Sequence, residues 1–297
     1  MKIIVGVDKG GLYREAIHLL SRLQFAESDV LLAHACEPVR MPAYAGSILA
    51  PVDELEAERL SSMREVLREA TEMASLENVG EAVIECPLDG KATEQIMEIA
   101  AREHADLVAV GSRRHGILGS FFTGSVGRAL AIGARESFLI ARSGVVGRGD
   151  VRAVFATDHS KYADACLEEL LRLDPLGITE LHFVFAQDGE MATLAEAAGE
   201  SGEVPQSVEE LVAEVKAKGA LLVESCIDSG RLADYEMVFD FTIEALRKKM
   251  YDLKADLLIL GAQGHGFIER LLIGSLALHE VVAEPFSVLV LRIPEDD

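Results

Sequence analysis

Short apolar runs and amphipathic stretches alternate along the whole chain. Ile3-Ile4-Val5-Gly6-Val7 is a continuous, mostly β-branched run. A half-exposed strand would alternate apolar and polar positions, so this run predicts a strand buried on both faces. Leu12, Ile17, Leu19, Leu20 and Leu23 share one helical stripe, which predicts a helix over 12–23. Val30–Ala33 predicts a second strand and residues 53–75 a long, charged, exposed helix. Ala82–Ile84 predicts the third strand, 92–103 a helix and Leu107–Val110 the fourth strand. A helix follows Gly124, and Phe138–Ile140 predicts the fifth strand. The order then starts again. Strands are predicted near 151–156, 179–185, 235–239, 256–260 and 287–292, and helices near 161–173, 207–226, 241–253 and 275–284. Apolar strands alternating with helices predict α/β domains with mostly parallel sheets.

The restart is a repeat at an offset of 150 residues. Ala105-Asp106-Leu107 recurs as Ala255-Asp256-Leu257, Gly111 as Gly261, and His115-Gly116 as His265-Gly266. Gly124-Ser125 recurs as Gly274-Ser275, and Asp8 as Asp158. So long a period does not fit a solenoid and predicts two copies of one domain. The stretch Ser143 to Gly149 is glycine-rich and aperiodic, and it divides residues 1–145 from 150–297. One difference stands out: Gly264 in the second copy is Arg114 in the first.

Composition narrows the classes. The 297 residues suffice for two domains, each able to bury a core without staples. Hydrophobic residues make up 49% and Trp is absent, so the core is aliphatic and a disordered chain is excluded. Fifty acidic residues against 28 basic ones give a net charge of −22. Such a field repels nucleic acid and anionic membranes, so neither is expected as a partner. It does not exclude a small phosphorylated ligand, because a few local N–H groups override a distant field. Cys36, Cys86, Cys166 and Cys226 form no C-x-x-C pair and read as reduced, mostly buried thiols. The apolar run after Met1-Lys2 is too short for a signal peptide or membrane span, so the expected compartment is the cytoplasm.

Ligands of open parallel sheets sit beyond the carboxyl ends of the strands. Asp8 and Asp158 end the first strand of each copy, Gly111 and Gly261 the fourth, and Gly124-Ser125 and Gly274-Ser275 open the next helix. Glycine lets backbone N–H groups approach a phosphate, and the helix start adds free N–H groups and a positive dipole end. The same residues also serve as ordinary turn and cap residues. There is no Walker loop and no G-x-G-x-x-G after the first strand. His34 and His182 near strand ends read as hydrogen-bonded structural residues, and His159 beside Asp158 and Ser160 does not make a triad. No Cys/His cluster points to a transition metal, and no general base is evident.

Gly261-Ala262-Gln263-Gly264, nine residues, then Gly274-Ser275 resembles the G-x2-G-x9-G-[S/T] motif of the universal stress protein family. The opening strand ending in Asp, Leu181-His182, Ala255-Asp256-Leu257 and the final Ser287-Val288-Leu289-Val290-Leu291 run resemble its flanks. The likeness covers nearly the whole chain twice, as in tandem-type members. It implies two Rossmann-like domains of the adenine nucleotide alpha hydrolase type. Each would have a five-stranded, mostly parallel sheet in the order 3-2-1-4-5, with helices on both faces. The final strands of the two domains would pair antiparallel, making a pseudo-dimer within one chain, and a further homodimer is compatible with this. The resemblance also implies ATP, or AMP or ADP, as ligand. Asp158 and Phe183 would face the adenine, Leu260 the ribose side, and Gly261, Gly264, Gly274, Ser275 and Leu276 the ribose and phosphates. The matching first-copy positions are Asp8, Ala35, Val110, Gly111, Gly124, Ser125 and Val126. Arg114 is open to two readings: its side chain fills the phosphate approach, or Arg114 or Arg113 supplies a cation to phosphate. Mg²⁺ arriving with the nucleotide would be held mainly by phosphates and water.

The leading expectation is a cytoplasmic, ATP-binding stress or regulatory protein, loaded chiefly in its second domain and at most a slow ATPase. The alternative is a nucleotide-free interaction or scaffold protein of the same family. A third reading, an enzyme acting on an adenylate or flavin, lacks a visible nucleophile or base.

Overall fold

The computed structural model describes residues 1–26, 28–35, 52–77, 79, 82–86, 91–112, 125–142, 149–186, 206–240, 242–263 and 274–293. The first half runs β1 (Lys2–Gly6), α1 (Tyr13–Leu23), β2 (Asp29–Ala35), α2 (Val52–Leu76), β3 (Ala82–Cys86), α3 (Ala92–Arg102), β4 (Leu107–Ser112), α4 (Ser125–Gly133) and β5 (Ser137–Arg142). The second runs β6 (Val151–Ala156), α5 (Lys161–Leu173), β7 (Ile178–Ala186), α6 (Gln206–Asp228), β8 (Leu232–Val238), α7 (Thr242–Asp252), β9 (Leu257–Gly261), α8 (Ser275–Ala283) and β10 (Ser287–Leu291). The segment 143–148 between the halves lies outside the described residues.

All ten strands form one sheet in the order β3-β2-β1-β4-β5-β10-β9-β6-β7-β8. Within each half the order is therefore 3-2-1-4-5, with parallel neighbours. Alternate residues of β1 point to opposite faces, as the strand period requires. Ile3 and Val5 join the core layer that contains Ile17 of α1, Met63 of α2, Leu170 of α5 and Leu222 of α6. Ile4 joins the other layer, with Ile96 of α3, Leu130 of α4, Leu246 of α7 and Ala277 of α8. Both layers run across both halves.

Strand β8 begins three residues before the predicted 235–239. It is the sheet edge, and Leu232, Asp234 and Glu236 are exposed while the residues between them are half-buried. Acidic residues on the exposed face dilute the apolar signal that marks an interior strand.

The halves join where β5 and β10 pair antiparallel, with Leu139 opposite Leu289. These two residues are related by the 150-residue offset, so the local two-fold axis passes between them. Several flanking contacts come as related pairs. The Arg142 N–H donates to Ser287 Oγ at 3.1 Å, and the Arg292 N–H to Ser137 Oγ at 3.0 Å. Arg22 of α1 forks onto Asp256 at 3.0–3.1 Å, and Arg172 of α5 reaches Asp106 at 2.8 Å. Phe25 and Pro175 form a bridge near the ends of those helices. Asp106 and Asp256, the aspartates of the repeated Ala-Asp-Leu, also accept the backbone N–H of Lys2 and Arg152, at the beginnings of β1 and β6.

Candidate functional site

Strand β1 ends at Gly6, and Val7 and Asp8 carry the chain out over the carboxyl edge of the first-half sheet. The Asp8 carboxylate accepts the Tyr13 N–H at 3.0 Å, which ties the strand-to-helix turn to the first turn of α1. Val110 and Gly111 lie near the end of β4 on one side, and Ala35 ends β2 on the other. Val126 comes from the first turn of α4. Asp8, Ala35, Val110, Gly111 and Val126 all line one cavity of about 400 Å³. That volume falls within the ~300–1,000 Å³ typical of small-molecule sites. Ser125 begins α4, while Gly124, Arg113, Arg114 and His115 lie outside the described residues.

Residues not assigned to the site from the sequence also line it, among them Lys9, Leu12, His34, Arg59, Ile96 and Ser112. Arg59 comes from α2 and Ile96 from α3, so both layers of helices contribute. Long-range pairing of this kind leaves no mark in a local pattern. His34 Nδ1 lies 2.6 Å from the Val7 carbonyl. Its Nε2 and the Ser112 hydroxyl are buried without a protein partner among the described residues.

The second half carries different side chains on the equivalent ground. Asp158, Leu260, Gly261, Gly274, Ser275 and Leu276 occupy the positions the repeat predicts, whereas Gly264 lies outside the described residues. Asp158 accepts the Ser160 N–H at 2.9 Å, and Ser160 Oγ caps α5 by accepting the Ala163 N–H at 3.1 Å. Leu260 is core, Leu276 packs against the same layer, and Ser275 is exposed. The Gly274 N–H donates to the Ala262 carbonyl at 2.7 Å, so that donor is already used.

Phe183 does not reach the strand end. It is 0% exposed and packs on Phe155, ring centres 5.4 Å apart, within the layer under α5 and α6. The ladder explains the difference from the sequence expectation. Val7 N–H bonds Ala33 O, and Thr157 N–H bonds Val184 O, so β7 is offset by one extra residue. Phe183 therefore matches Leu32, His34 matches Phe185, and Ala35 matches Ala186. A one-residue slip turns a side chain to the other face.

At the mouth of the second half, three rings crowd together. His159, with φ of 55°, sits 5.1 Å from the Phe185 ring and 5.5 Å from Tyr235. Its Nε2 lies 2.9 Å from the Tyr235 hydroxyl. Burial holds the His159 imidazole below its usual range and pushes the Tyr235 hydroxyl up to about 12, so the neutral pair is favoured. Tyr162 lies over Gly261, where an added Cβ would stand 2.9 Å from its ring. The first half has Lys9, His34 and Leu12 where the second has His159, Phe185 and Tyr162.

Cys166 and Cys226 are buried free thiols, pushed up to about 12 and about 11 by desolvation. They are poor nucleophiles at neutral pH. Among the described residues, no cluster of His, Cys, Asp or Glu could hold a metal ion. No described helix is long and apolar enough to cross a membrane.

The sequence profile of the universal stress protein family matches residues 1–142 and again 152–292. Among solved structures, a universal stress protein from Archaeoglobus fulgidus DSM 4304 is 18% identical, covering 99% of this chain and 98% of that one at a TM-score of 0.70. A putative universal stress protein from Pseudomonas aeruginosa UCBPP-PA14 is 15% identical, covering 98% and 92% at a TM-score of 0.54. A universal stress protein in complex with cAMP is 21% identical over 48% of this chain and 96% of that one, at a TM-score of 0.35. No curated protein sequence matches the chain.

Proposed function

Since the chain belongs to the universal stress protein family, we propose that it is a nucleotide-binding stress or regulatory protein whose first-half cavity holds an adenine nucleotide. What supports this reading is one convergence. Asp8, Ala35, Val110, Gly111 and Val126, implied by the family resemblance, line a single cavity of about 400 Å³ that also keeps unpartnered polar groups. Its apolar walls suit a flat ring, and the opening of α4 suits a phosphate. The output is a change of surface conformation rather than turnover.

A second reading places ATP chiefly in the second half, on Gly261, Gly264, Gly274 and Ser275. The intact glycine spacing favours it, and the rings around His159 oppose it. Calorimetry on two variants separates the readings. Val126→Phe puts a ring into the first cavity, and Gly264→Arg puts a long side chain on the second glycine segment. If the first cavity is the site, Val126→Phe weakens ATP binding by on the order of 2–4 kcal/mol, roughly 30- to 1000-fold, while Gly264→Arg leaves it unchanged. The opposite outcome selects the second half. No heat with any adenine nucleotide selects the nucleotide-free scaffold. Melting curves without ligand exclude a folding defect as the cause.

A further inference from the structure

Helix α2 follows β2 and crosses back to start the parallel strand β3, so its first turns stand near the carboxyl ends of the strands. Its inner stripe reads Arg59, Met63, Leu67, Ala70 and Ala74 at helical spacing. Met63, Leu67, Ala70 and Ala74 are core. Arg59 continues the stripe one turn nearer that edge, where it is half-buried and lines the first-half cavity. Lys9, exposed in the turn after β1, lines the same cavity. Among the described lining residues Asp8 is the one carboxylate, and it already accepts the Tyr13 N–H.

The second half lacks both cations. Helix α6 repeats the α2 stripe at an offset of 152 residues, Met63 to Val215, and continues through Gly219, Leu222 and Cys226, all buried. Leu211 therefore holds the place of Arg59, and it is exposed. His159 holds the place of Lys9. Burial keeps that imidazole below its usual range, so it adds no charge at neutral pH. Asp8, Lys9 and Arg59 thus carry a net +1, where Asp158, His159 and Leu211 carry −1. In a chain of net charge −22 the distant field opposes every anion. A polyanionic ligand needs local cations to outweigh it, and of these two places the first-half cavity has them.

We infer that Lys9 and Arg59 make the first-half cavity selective for polyphosphorylated ligands, Arg59 forking onto phosphate oxygens from the α2 side and Lys9 adding a point charge at the mouth. This rests on the reading of that cavity as the nucleotide site. Arg59 comes from the helix layer of α1 and α2, whereas α4 opens from the other layer, so the phosphate chain is met from both faces of the sheet. Both cations lie outside the glycine spacing, and they reverse its ranking of the two halves.

The test compares ATP with adenosine on the full chain. The two share base and sugar, so their difference isolates the phosphate chain. Arg59→Gln should weaken ATP binding about 10- to 100-fold and adenosine binding less than about twofold. Lys9→Gln, at an exposed and screened position, should weaken ATP about 2- to 5-fold and leave adenosine unchanged. Parent affinity for ATP should fall as salt rises from about 0.05 to about 0.5 M, and less steeply in either variant. Equal losses for ATP and adenosine would give these side chains a structural role and overturn the proposal. Unchanged ATP binding in both variants would overturn it as well. Lys9 is exposed, so Lys9→Gln keeps the test readable if Arg59→Gln melts early. Val126→Phe separates the two ways of failing. If it abolishes ATP binding while the charge variants bind ATP as the parent does, the cavity reading stands and the cation role fails. If it leaves ATP binding unchanged, or the parent binds no ATP, the cavity reading itself fails.

Discussion

Glu280 on α8 is 0% exposed, and neither carboxyl oxygen has a hydrogen-bond partner among the described residues. The 150-residue offset puts Leu130 of α4 at the matching position. Desolvation, then the Glu284 charge, raises its carboxyl to about 8, against the opposing pull of Arg247 and Arg142. The folded chain therefore holds this proton from the ordinary carboxylate range up to about pH 8, whereas the unfolded chain has released it. Stability attributable to this group is intact below that window, falls as pH rises through it, and levels above about pH 8. Glu280→Gln imitates the protonated form. It should leave melting near pH 4 unchanged and stabilise the chain by on the order of 3 kcal/mol at pH 9. Equal melting shifts at both pH values would refute the buried charge. Gly111 shows how a residue can be found for an incomplete reason. Its repetition as Gly261 drew attention to phosphate approach, yet a Cβ on Gly111 would stand 1.8 Å from the Leu12 carbonyl. The close passage of α1 over β4 already demands glycine. Gly111→Ala should thus lower the melting temperature without any ligand present, and an unchanged melt would contradict that packing. Lys9 and Arg59 were illegible as a pair, since only the fold shows that they share a cavity.

At the scale of elements, the periodicities located helices and strands well because their apolar stripes are long and uninterrupted. The edge strand β8 was displaced, and Phe183 was assigned to the wrong side of its sheet, because neither register nor edge position is encoded locally. The contacts that join α1 and α5 to the opposite half were equally hidden, although the offset that relates them was visible. Arg22 is nearly buried, bonds Asp256, and also donates to the carbonyls of Gly149 and Asp150. Its mate Arg172 is half-exposed and shares its guanidinium between Asp106 and Glu169. Burial makes the two pairs unequal. Arg22→Ala should cost about 2–4 kcal/mol, as it strands the Asp256 carboxylate and two backbone carbonyls, while Arg172→Ala, which strands only Glu169 among buried groups, should cost less, about 1–2 kcal/mol. Denaturant unfolding of the two variants checks the ranking, and equal losses would refute it. Burial raises the Asp106 carboxyl, but the Lys2 N–H and Arg172 outweigh it and hold the group below its ordinary value. That contribution is present above the ordinary aspartate pKa and is lost as pH falls through the lowered one.

At the scale of the molecule, the ten-stranded sheet removes two edges that each half would otherwise expose. Strand β5 carries Phe138, Leu139 and Ile140, and β10 carries Val288, Leu289 and Val290, all buried. Unpaired apolar edges of this kind recruit other strands. Two halves expressed separately, with the chain cut inside 143–148, should therefore seek partners. Copies of the first half could reuse the ladder, since its related contacts are locally two-fold. Copies of the second half could too, but α8 would then meet α8 where it now meets α4. That arrangement buries Glu280 twice, each already deprived of hydrogen bonds. Two such carboxyls in one interface raise each other's cost of ionising. The mixed pair buries only one and keeps Arg142 near it. Light scattering on an equimolar mixture should thus give a 1:1 complex in preference to either homodimer. The second half alone should be the weaker self-associator, and weaker at pH 9 than at pH 6. Leu139→Lys in the first half should abolish the complex, because it sets a charge opposite Leu289 at the centre of the ladder. Halves that remain monomeric when mixed, each folded by circular dichroism, would show that the shared strand pairing is not what holds the two copies together.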